Sequence, residues 1–174
     1  FRSIEVNTTV DDLHTDVIDE ISNQCLTFFL NGEEYGIEIL KVMEIRKWET
    51  PTAMPGSNNN VLGMINIRGN VVPIIDLRSC FDMPKKESDK VTVIIIIQIK
   101  DGDSSQIIGI VADRVSDVYN FKSSQMKSVP DTVMVDRRYV KNIAVVDNKM
   151  VILLCVNSIF EGKANPEDSN QTLE

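Results

Sequence analysis

Few residues in this sequence could catalyse a reaction. The single histidine, His14, lies in an acidic segment, so the chain can assemble neither a histidine-based triad nor a histidine-rich metal site. Asp76 and Asp113 are the best candidates for acid and base catalysis, because each adjoins apolar residues and burial makes a carboxylate a better proton acceptor. The alternative is a strand-end carboxylate that caps a backbone amide or pairs with Arg78 or Arg114. We favour this alternative, which predicts a binding protein without catalytic, metal or cofactor sites.

The hairpin-like segment Asn66-Ile67-Arg68-Gly69 offers a different kind of chemistry. It presents a guanidinium group between two strand-like runs. An arginine has five donors and keeps its charge, so Arg68 could hold the carboxylates or carbonyls of a partner in a fixed geometry. Taken alone, the segment is better explained as an ordinary turn with a solvated arginine, which is the commoner case.

The cysteines and the apolar runs indicate the compartment. Cys25, Cys80 and Cys155 are far apart and lie beside strand-like apolar runs. An odd number of dispersed cysteines is typical of buried thiols in a reducing compartment, so we expect a cytoplasmic protein. The longest apolar run, from Val91 to Ile99, is about half the length that a membrane-spanning helix needs, so we expect no direct insertion into a membrane.

The formal net charge of −8 is concentrated at the two ends of the chain. Residues 1–24 carry −5 and residues 161–174 carry −3, whereas the remainder holds 16 positive and 16 negative side chains. We predict an acidic N-terminal arm over residues 1–23, either a loose helix or a disordered segment, and a disordered tail over residues 163–174. The neutral body lacks the clustered basic residues that bind phosphate, so no nucleic acid is expected as a partner.

The sequence between these ends contains two copies of a small unit. Shifts of 73 and 79 residues align similar segments, 35–48 with 108–121 and 71–81 with 150–160. The first shift places Gly36 on Gly109 and keeps the sign of charge and the apolar positions. Two small units packed together leave a crevice between them, where ligands commonly bind.

Strand signals dominate from Cys25 to Phe160, and turn residues divide them into four hairpins. The predicted strand pairs are Leu26–Leu30 with Tyr35–Ile39, Met64–Ile67 with Val71–Leu77, Val91–Lys100 with Ser105–Val111, and Ile143–Val146 with Met150–Val156. Short helices are predicted at Arg78–Met83 and Asn157–Glu161. Duplicated short strands joined by tight turns suit two small, closed or nearly closed barrels packed side by side.

Two features within these strands predict their positions. Pro73 cannot donate a hydrogen bond to a neighbouring strand, so it predicts an edge strand or a bulge. Four consecutive isoleucines, from Ile94 to Ile97, predict a strand that is covered on both faces, as a position between two lobes would allow.

Three segments together resemble the CheW-like family of bacterial chemotaxis coupling proteins: residues 28–45, 61–78 and 108–118. The middle one reads VLGMINIRGNVVPIIDLR and is long enough to make the likeness specific. The resemblance spans residues 24–162, and it implies a mainly β fold of two intertwined five-stranded SH3/OB-like barrels with short helices.

The same resemblance implies a non-enzymatic adaptor between the cytoplasmic tips of chemoreceptors and the regulatory domain of the histidine kinase CheA, at membrane-associated receptor arrays. The implied receptor-binding groove contains six residues: Ile39, Val42, Glu44, Gly63, Asn66 and Arg68. In a helix-in-groove arrangement, Ile39 and Val42 would cover one face of a receptor helix, while Arg68 and Glu44 set its register. No distinctive motif assigns the contacts with the kinase.

Three other functions compete with this one. The CheW-like part of a CheV-type protein, which also carries a receiver domain, would require a longer gene than the present chain, which ends at Glu174. A small hydrolase would use Asp76 and Asp113. An oligonucleotide-binding pair of barrels conflicts with the neutral body and with only ten aromatic residues for base stacking.

Overall fold

The computed structural model describes residues 23–132 and 136–161. The predicted N-terminal arm, except for Asn23, and the predicted C-terminal tail lie outside the described residues, as does His14. Within the described part, the chain forms eleven strands and two short α-helices. They are β1 (Gln24–Leu30), β2 (Glu33–Glu38), β3 (Val42–Lys47), β4 (Val61–Ile67), β5 (Asn70–Ile75), α1 (Leu77–Cys80), β6 (Val93–Asp101), β7 (Ser104–Ala112), β8 (Arg114–Asn120), β9 (Met126–Lys127), β10 (Val140–Val146), β11 (Lys149–Leu154) and α2 (Val156–Glu161).

All four predicted hairpins are present, and each turn has two residues. Asn31 and Gly32 have φ angles of 54° and 80°, and Arg68 and Gly69 have φ angles of 52° and 85°. Positive φ at both central positions is the geometry that matches the natural twist of paired strands, and Asn and Gly adopt it readily. The turn residues of the sequence therefore set the hairpin registers.

The strands form two sheets that exchange segments. The six-stranded sheet has the order β8-β1-β2-β11-β10-β9, and the five-stranded sheet has the order β3-β6-β7-β5-β4. After the β1–β2 hairpin, the chain crosses at the 3-10 turn Ile39–Lys41 and continues as β3 of the five-stranded sheet. After the β6–β7 hairpin, it crosses at Asp113 and continues as β8 of the six-stranded sheet. The expected mainly β fold of two intertwined units is confirmed.

The number of strands in one sheet differs from the expected five. β9 adds two residues to the outer edge of β10, through the pairs Ile143–Lys127 and Ala144–Met126. In the five-stranded sheet, the equivalent edge of β4 carries only one isolated bridge, between Thr52 and Met64. The two sheets therefore have the same plan, and they differ in how far an edge segment is paired.

Residues that the sequence repeat aligns occupy equivalent places in the two sheets. Gly36 of β2 lies beside Leu153 of the parallel strand β11, and Gly109 of β7 lies beside Ile74 of the parallel strand β5. Leu153 and Ile74 are separated by the same 79 residues that relate the second pair of sequence segments. Each sheet thus places a glycine where two parallel strands need a close approach.

The prediction from Pro73 is wrong about the edge. β5 lies inside the five-stranded sheet, between β4 and β7. Pairing of β5 with β7 begins only at Ile74, which pairs with Gly109, so Pro73 precedes the hydrogen-bonded part of that ladder. The bulge of this hairpin lies on the partner strand, between Val61 and Gly63.

The isoleucine run of β6 is covered on both faces, as predicted. All four side chains from Ile94 to Ile97 are at most 2% exposed. Ile95 and Ile97 belong to a central cluster with residues of both sheets, whereas Ile94 and Ile96 belong to a second cluster within the five-stranded sheet. β6 therefore joins the central core to the interior of one sheet.

The three cysteines are free thiols with different environments. Cys25 is buried, as predicted, whereas Cys80 and Cys155 are only partly buried. Desolvation by burial raises the pKa of Cys25 to about 11, with a further contribution from the carboxylate of Glu38. Desolvation likewise raises the pKa of Cys80 to about 11, and the charge of Asp76 acts in the same direction.

We expect these two thiols to react slowly with a thiolate-specific reagent. At pH 8, a thiol with a pKa of about 11 is ionised about one part in a thousand, against about one in ten at the ordinary value of 9.0. Labelling by Ellman's reagent should therefore be about a hundredfold slower at Cys25 and Cys80 in native protein than in urea, and it should accelerate as the pH rises towards 11. Equal rates in the two conditions would contradict the burial of these thiols.

Candidate protein-binding surface

The β4–β5 turn holds Arg68 away from the sheet. Asn66 accepts a hydrogen bond at Oδ1 from the backbone amide of Gly69, at 2.9 Å, and this bond fixes the turn. Arg68 has a left-handed backbone conformation, and its side chain is 83% exposed. Arg68 is therefore a solvated turn arginine, as the simpler interpretation of the sequence predicted. The hydrogen bond between Asn66 and Gly69 sets its position.

Glu44 of β3 connects this turn to the opposite edge of the five-stranded sheet. Its Oε2 lies 3.7 Å from Nη2 of Arg68, and its Oε1 accepts a hydrogen bond of 2.8 Å from Nη1 of Arg46. β3 and β4 are the two edge strands of this sheet, so the contact joins a side chain of one edge strand to the turn that follows the other. This ion pair therefore spans the space between the two edges, which we call the mouth of the sheet.

A shallow depression of about 90 Å³ lies beside the ion pair. Ile67, Val72 and Ile96 form its apolar floor and belong to the buried cluster inside the five-stranded sheet. Arg68 and Glu44 lie among its lining residues. The surface therefore combines charged groups of both signs with an apolar base.

Ile39 and Val42 are only partly exposed. Both pack against the central cluster that the two sheets share, so part of each side chain belongs to the core. The apolar side chains that face solvent here are Leu40, Met43 and Ile45, which are 73%, 52% and 45% exposed. Sequence reasoning missed these three, although the alternation along β3 separates Met43 and Ile45 from their partly buried neighbours.

Gly63 contributes backbone rather than a side-chain contact. It is buried at the bulge of β4, and a Cβ atom there would overlap the backbone carbonyl of Thr52. Thr52 and Met64 exchange backbone hydrogen bonds at 2.8 and 2.9 Å beside this glycine. Gly63 thus permits the segment before β4 to pack against it.

Comparison with known proteins identifies the family. The family model for the CheW-like domain matches residues 24–164. The chain belongs to the CheW-like family. The CheW chemotaxis protein of Bacillus subtilis is 32% identical over 141 residues, which cover 80% of this chain and 88% of the relative. That of Klebsiella aerogenes is 33% identical over 144 residues, covering 82% and 84%.

A solved structure supports the same assignment for the fold. The crystal structure of the scaffolding protein TtCheW from Thermoanaerobacter tengcongensis matches with a TM-score of 0.70 and 30% sequence identity. The match covers 78% of this chain and 85% of that one. The resemblance inferred from the three sequence segments is confirmed, and the CheV-type alternative is not better supported by these matches.

Within this CheW-like domain, the six predicted groove residues fall into three groups. Glu44, Asn66 and Arg68 form one connected set at the mouth of the five-stranded sheet. Ile39 and Val42 lie at the crossover into β3, against the central core. Gly63 lies near the start of β4, away from the turn, and acts through its backbone.

The carboxylates considered for catalysis have structural roles in the CheW-like domain. Asp76 accepts a hydrogen bond from the backbone amide of Arg78 at the start of α1, at 3.1 Å. Asp113 accepts a hydrogen bond of 2.6 Å from Arg78 and one of 2.9 Å from the backbone amide of Asn31. The favoured interpretation, capping or ion pairing, is confirmed, and Arg78 rather than Arg114 is the partner of Asp113.

These carboxylates line a larger cavity of about 430 Å³. Its lining includes equal numbers of basic and acidic side chains: Arg78, Lys85 and Lys86, and Asp76, Glu87 and Asp113. In the described part of the chain, His, Cys, Asp and Glu side chains form no group of three that could hold a metal ion. None of the helices between residues 23 and 161 has the length and apolar character needed to cross a membrane.

Proposed function

We propose that this chemotaxis scaffold protein is a non-enzymatic adaptor that couples the cytoplasmic tips of chemoreceptors to the histidine kinase CheA. The receptor would bind at the Arg68 surface, defined as Arg68, Asn66 and the adjoining apolar residues of β3. Glu44, which the family resemblance also places in this groove, would act there by pairing with the arginines rather than by contacting the receptor. The kinase would bind elsewhere, through its regulatory domain. The protein would act in the cytoplasm, at membrane-associated receptor arrays.

The observation that carries the proposal is the exposure of Arg68 beside apolar side chains. Its side chain is 83% exposed, and Glu44 lies at an ion-pair distance rather than at a hydrogen-bond distance. Met43 of β3, which lines the same depression as Arg68, is 52% exposed. A helical partner with an apolar stripe and carboxylate or carbonyl groups beside it would match this combination.

A rigid body with two separate binding surfaces can act as an adaptor without chemistry. The exchange of segments between the sheets joins them through two crossovers, so a shift at one sheet is transmitted to the other. A single interface that is confined to one turn and one strand is small and is therefore expected to bind weakly. Many such interfaces in an array would supply the missing affinity through multivalency. The structural roles of Asp76 and Asp113 also support a protein without catalytic activity.

Reversal of the charge at Arg68 tests the proposal. We expect Arg68→Glu to weaken binding of a purified chemoreceptor cytoplasmic fragment by about ten- to a hundredfold, because a carboxylate would meet the partner's acceptors. The urea midpoint should be almost unchanged, because this exposed side chain makes only one long ion pair with the residues that the structure describes. Titration of labelled receptor fragment and urea unfolding measure the two quantities.

Asp147→Arg is the matched control. Asp147 occupies the same position in the β10–β11 turn, 79 residues after Arg68, with a similar φ of 49°. Its substitution reverses a charge at a turn of the other sheet, with a change of the same size as in Arg68→Glu but of the opposite sign, and receptor binding should persist. Normal receptor binding by Arg68→Glu, or an equal loss in both variants, would contradict the proposed receptor surface.

A further inference from the structure

Glu44 lies between two arginines that hold it differently. The Oε1–Nη1 distance to Arg46 is 2.8 Å, which is a charge-assisted hydrogen bond. The Oε2–Nη2 distance to Arg68 is 3.7 Å, which is an ion pair without a hydrogen bond. Glu44 and Arg46 are only 25% and 29% exposed, so their pair is better shielded from solvent than the contact with Arg68.

This division leaves Arg68 with unused binding capacity. An arginine has five donors, and in the described part of the chain Arg68 has only the long contact with Glu44. Glu49 compensates Arg46 from another direction, at 3.8 Å. The charge of Glu44 is therefore directed to Arg46, and Arg68 keeps a guanidinium group that a partner can approach.

We infer that Arg46 is a positioning residue: by holding the carboxylate of Glu44, it keeps Arg68 available for a carboxylate on the binding partner. The inference rests on the proposed function and deepens it, because it assigns an acidic group to the receptor helix opposite Arg68. It also assigns Glu44 an internal role, in which its carboxylate orients the neighbouring arginines rather than contacting the partner.

Loss of the Arg46 guanidinium would release the carboxylate of Glu44. A movement of about 1 Å would bring this carboxylate from 3.7 Å to hydrogen-bond distance from Arg68. A bidentate pair would then form, because arginine and carboxylate match in shape. Arg68 would lose both its free charge and two of its donors to an internal partner.

Four variants test this inference against the same chemoreceptor fragment. We expect Arg46→Gln to bind about three- to tenfold more weakly than the wild type, with a shallower dependence of Kd on salt. Glu44→Gln should bind at least as tightly as the wild type. The double variant Arg46→Gln with Glu44→Gln should return to within about twofold of the wild type, because no carboxylate remains to occupy Arg68. Arg68→Gln should weaken binding whatever stands at position 46.

The outcomes separate failure of the inference from failure of the proposed function. If Arg68→Gln binds normally, the proposed receptor surface is wrong and the inference falls with it. If Arg68→Gln is weak but Arg46→Gln is normal, or if the double variant stays weak, only the role of Arg46 is wrong. Weak binding by Glu44→Gln would show that Glu44 contacts the partner directly. Urea midpoints of all four variants close to the wild type exclude a simple folding defect, and a large fall in any of them would overturn the inference for that residue.

Discussion

Replacement of Arg78 by methionine is expected to lower the free energy of unfolding by about 3–5 kcal/mol. Arg78 is 8% exposed and pairs with Asp113, which is 18% exposed, at 2.6 Å. Its other guanidinium nitrogen donates to the carbonyl of Pro84 at 3.0 Å. Methionine would fill much of the volume but would leave the partly buried carboxylate of Asp113 without its cation. Urea unfolding followed by the fluorescence of Trp48, the single tryptophan, would measure the loss.

A double-mutant cycle separates the buried charge from the packing. Asn at position 113 can still accept from the backbone amide of Asn31, but it carries no charge. We therefore expect the double variant Arg78→Met with Asp113→Asn to be about 1–3 kcal/mol more stable than the sum of the single changes predicts. Lys141→Met is the control, since its 2.9 Å pair with Glu38 is 55% exposed on the lysine side and should contribute less than about 1 kcal/mol. Additive effects, or similar losses for Arg78→Met and Lys141→Met, would contradict this account.

Substitution of Gly109 by valine is expected to destabilise the fold by about 3 kcal/mol. A Cβ atom at Gly109 would lie 2.5 Å from Cδ1 of Ile74 and 2.9 Å from Cγ2 of Ile94. Cγ2 of Ile94 is attached directly to Cβ, so it cannot move away without a shift of β6. Both isoleucines are completely buried, which leaves no space for a rotamer change.

The aligned glycine of the other sheet provides an internal comparison. A Cβ atom at Gly36 would lie 2.7 Å from Cδ2 of Leu153, at the flexible end of that side chain, and 3.4 Å from Val151. We expect Gly36→Val to cost about 1 kcal/mol less than Gly109→Val, because leucine can rotate more easily. Urea unfolding of both variants measures the difference. A wild-type midpoint for Gly109→Val would show that β5 and β7 have room for a side chain between them.

Local sequence signals were sufficient for the hairpins but not for the pairing of distant strands. Asn31-Gly32 and Arg68-Gly69 have the backbone preference of tight turns, so their hairpins follow from adjacent residues. The pairing of β1 with β8 joins residues about 90 positions apart, as the hydrogen bond from Thr27 to the carbonyl of Asp117 illustrates. Periodicity along the chain contains no information about which strand lies alongside. Here the exchange of segments was expected from the family resemblance.

The candidate site shows the same division. The turn residues Asn66 and Arg68 and the charged Glu44 could be selected from the sequence, and the structure places them together. The burial of Ile39 and Val42 depends on the central cluster, which neither residue reveals by its type. The edge-strand prediction from Pro73 was wrong for a related reason. Proline removes one hydrogen-bond donor at its own position, but the prediction extended this local effect to the whole of β5.

The two crossovers have a consequence for the origin and folding of the molecule. In each sheet, a hairpin from one repeat is flanked by strands of the other, which is the arrangement of a domain-swapped homodimer whose subunits have become one polypeptide. Neither repeat can complete a sheet without its counterpart, so the halves should not fold as independent modules. The many contacts between remote parts of the chain also impose a high contact order, and slow, concerted folding is the expected result.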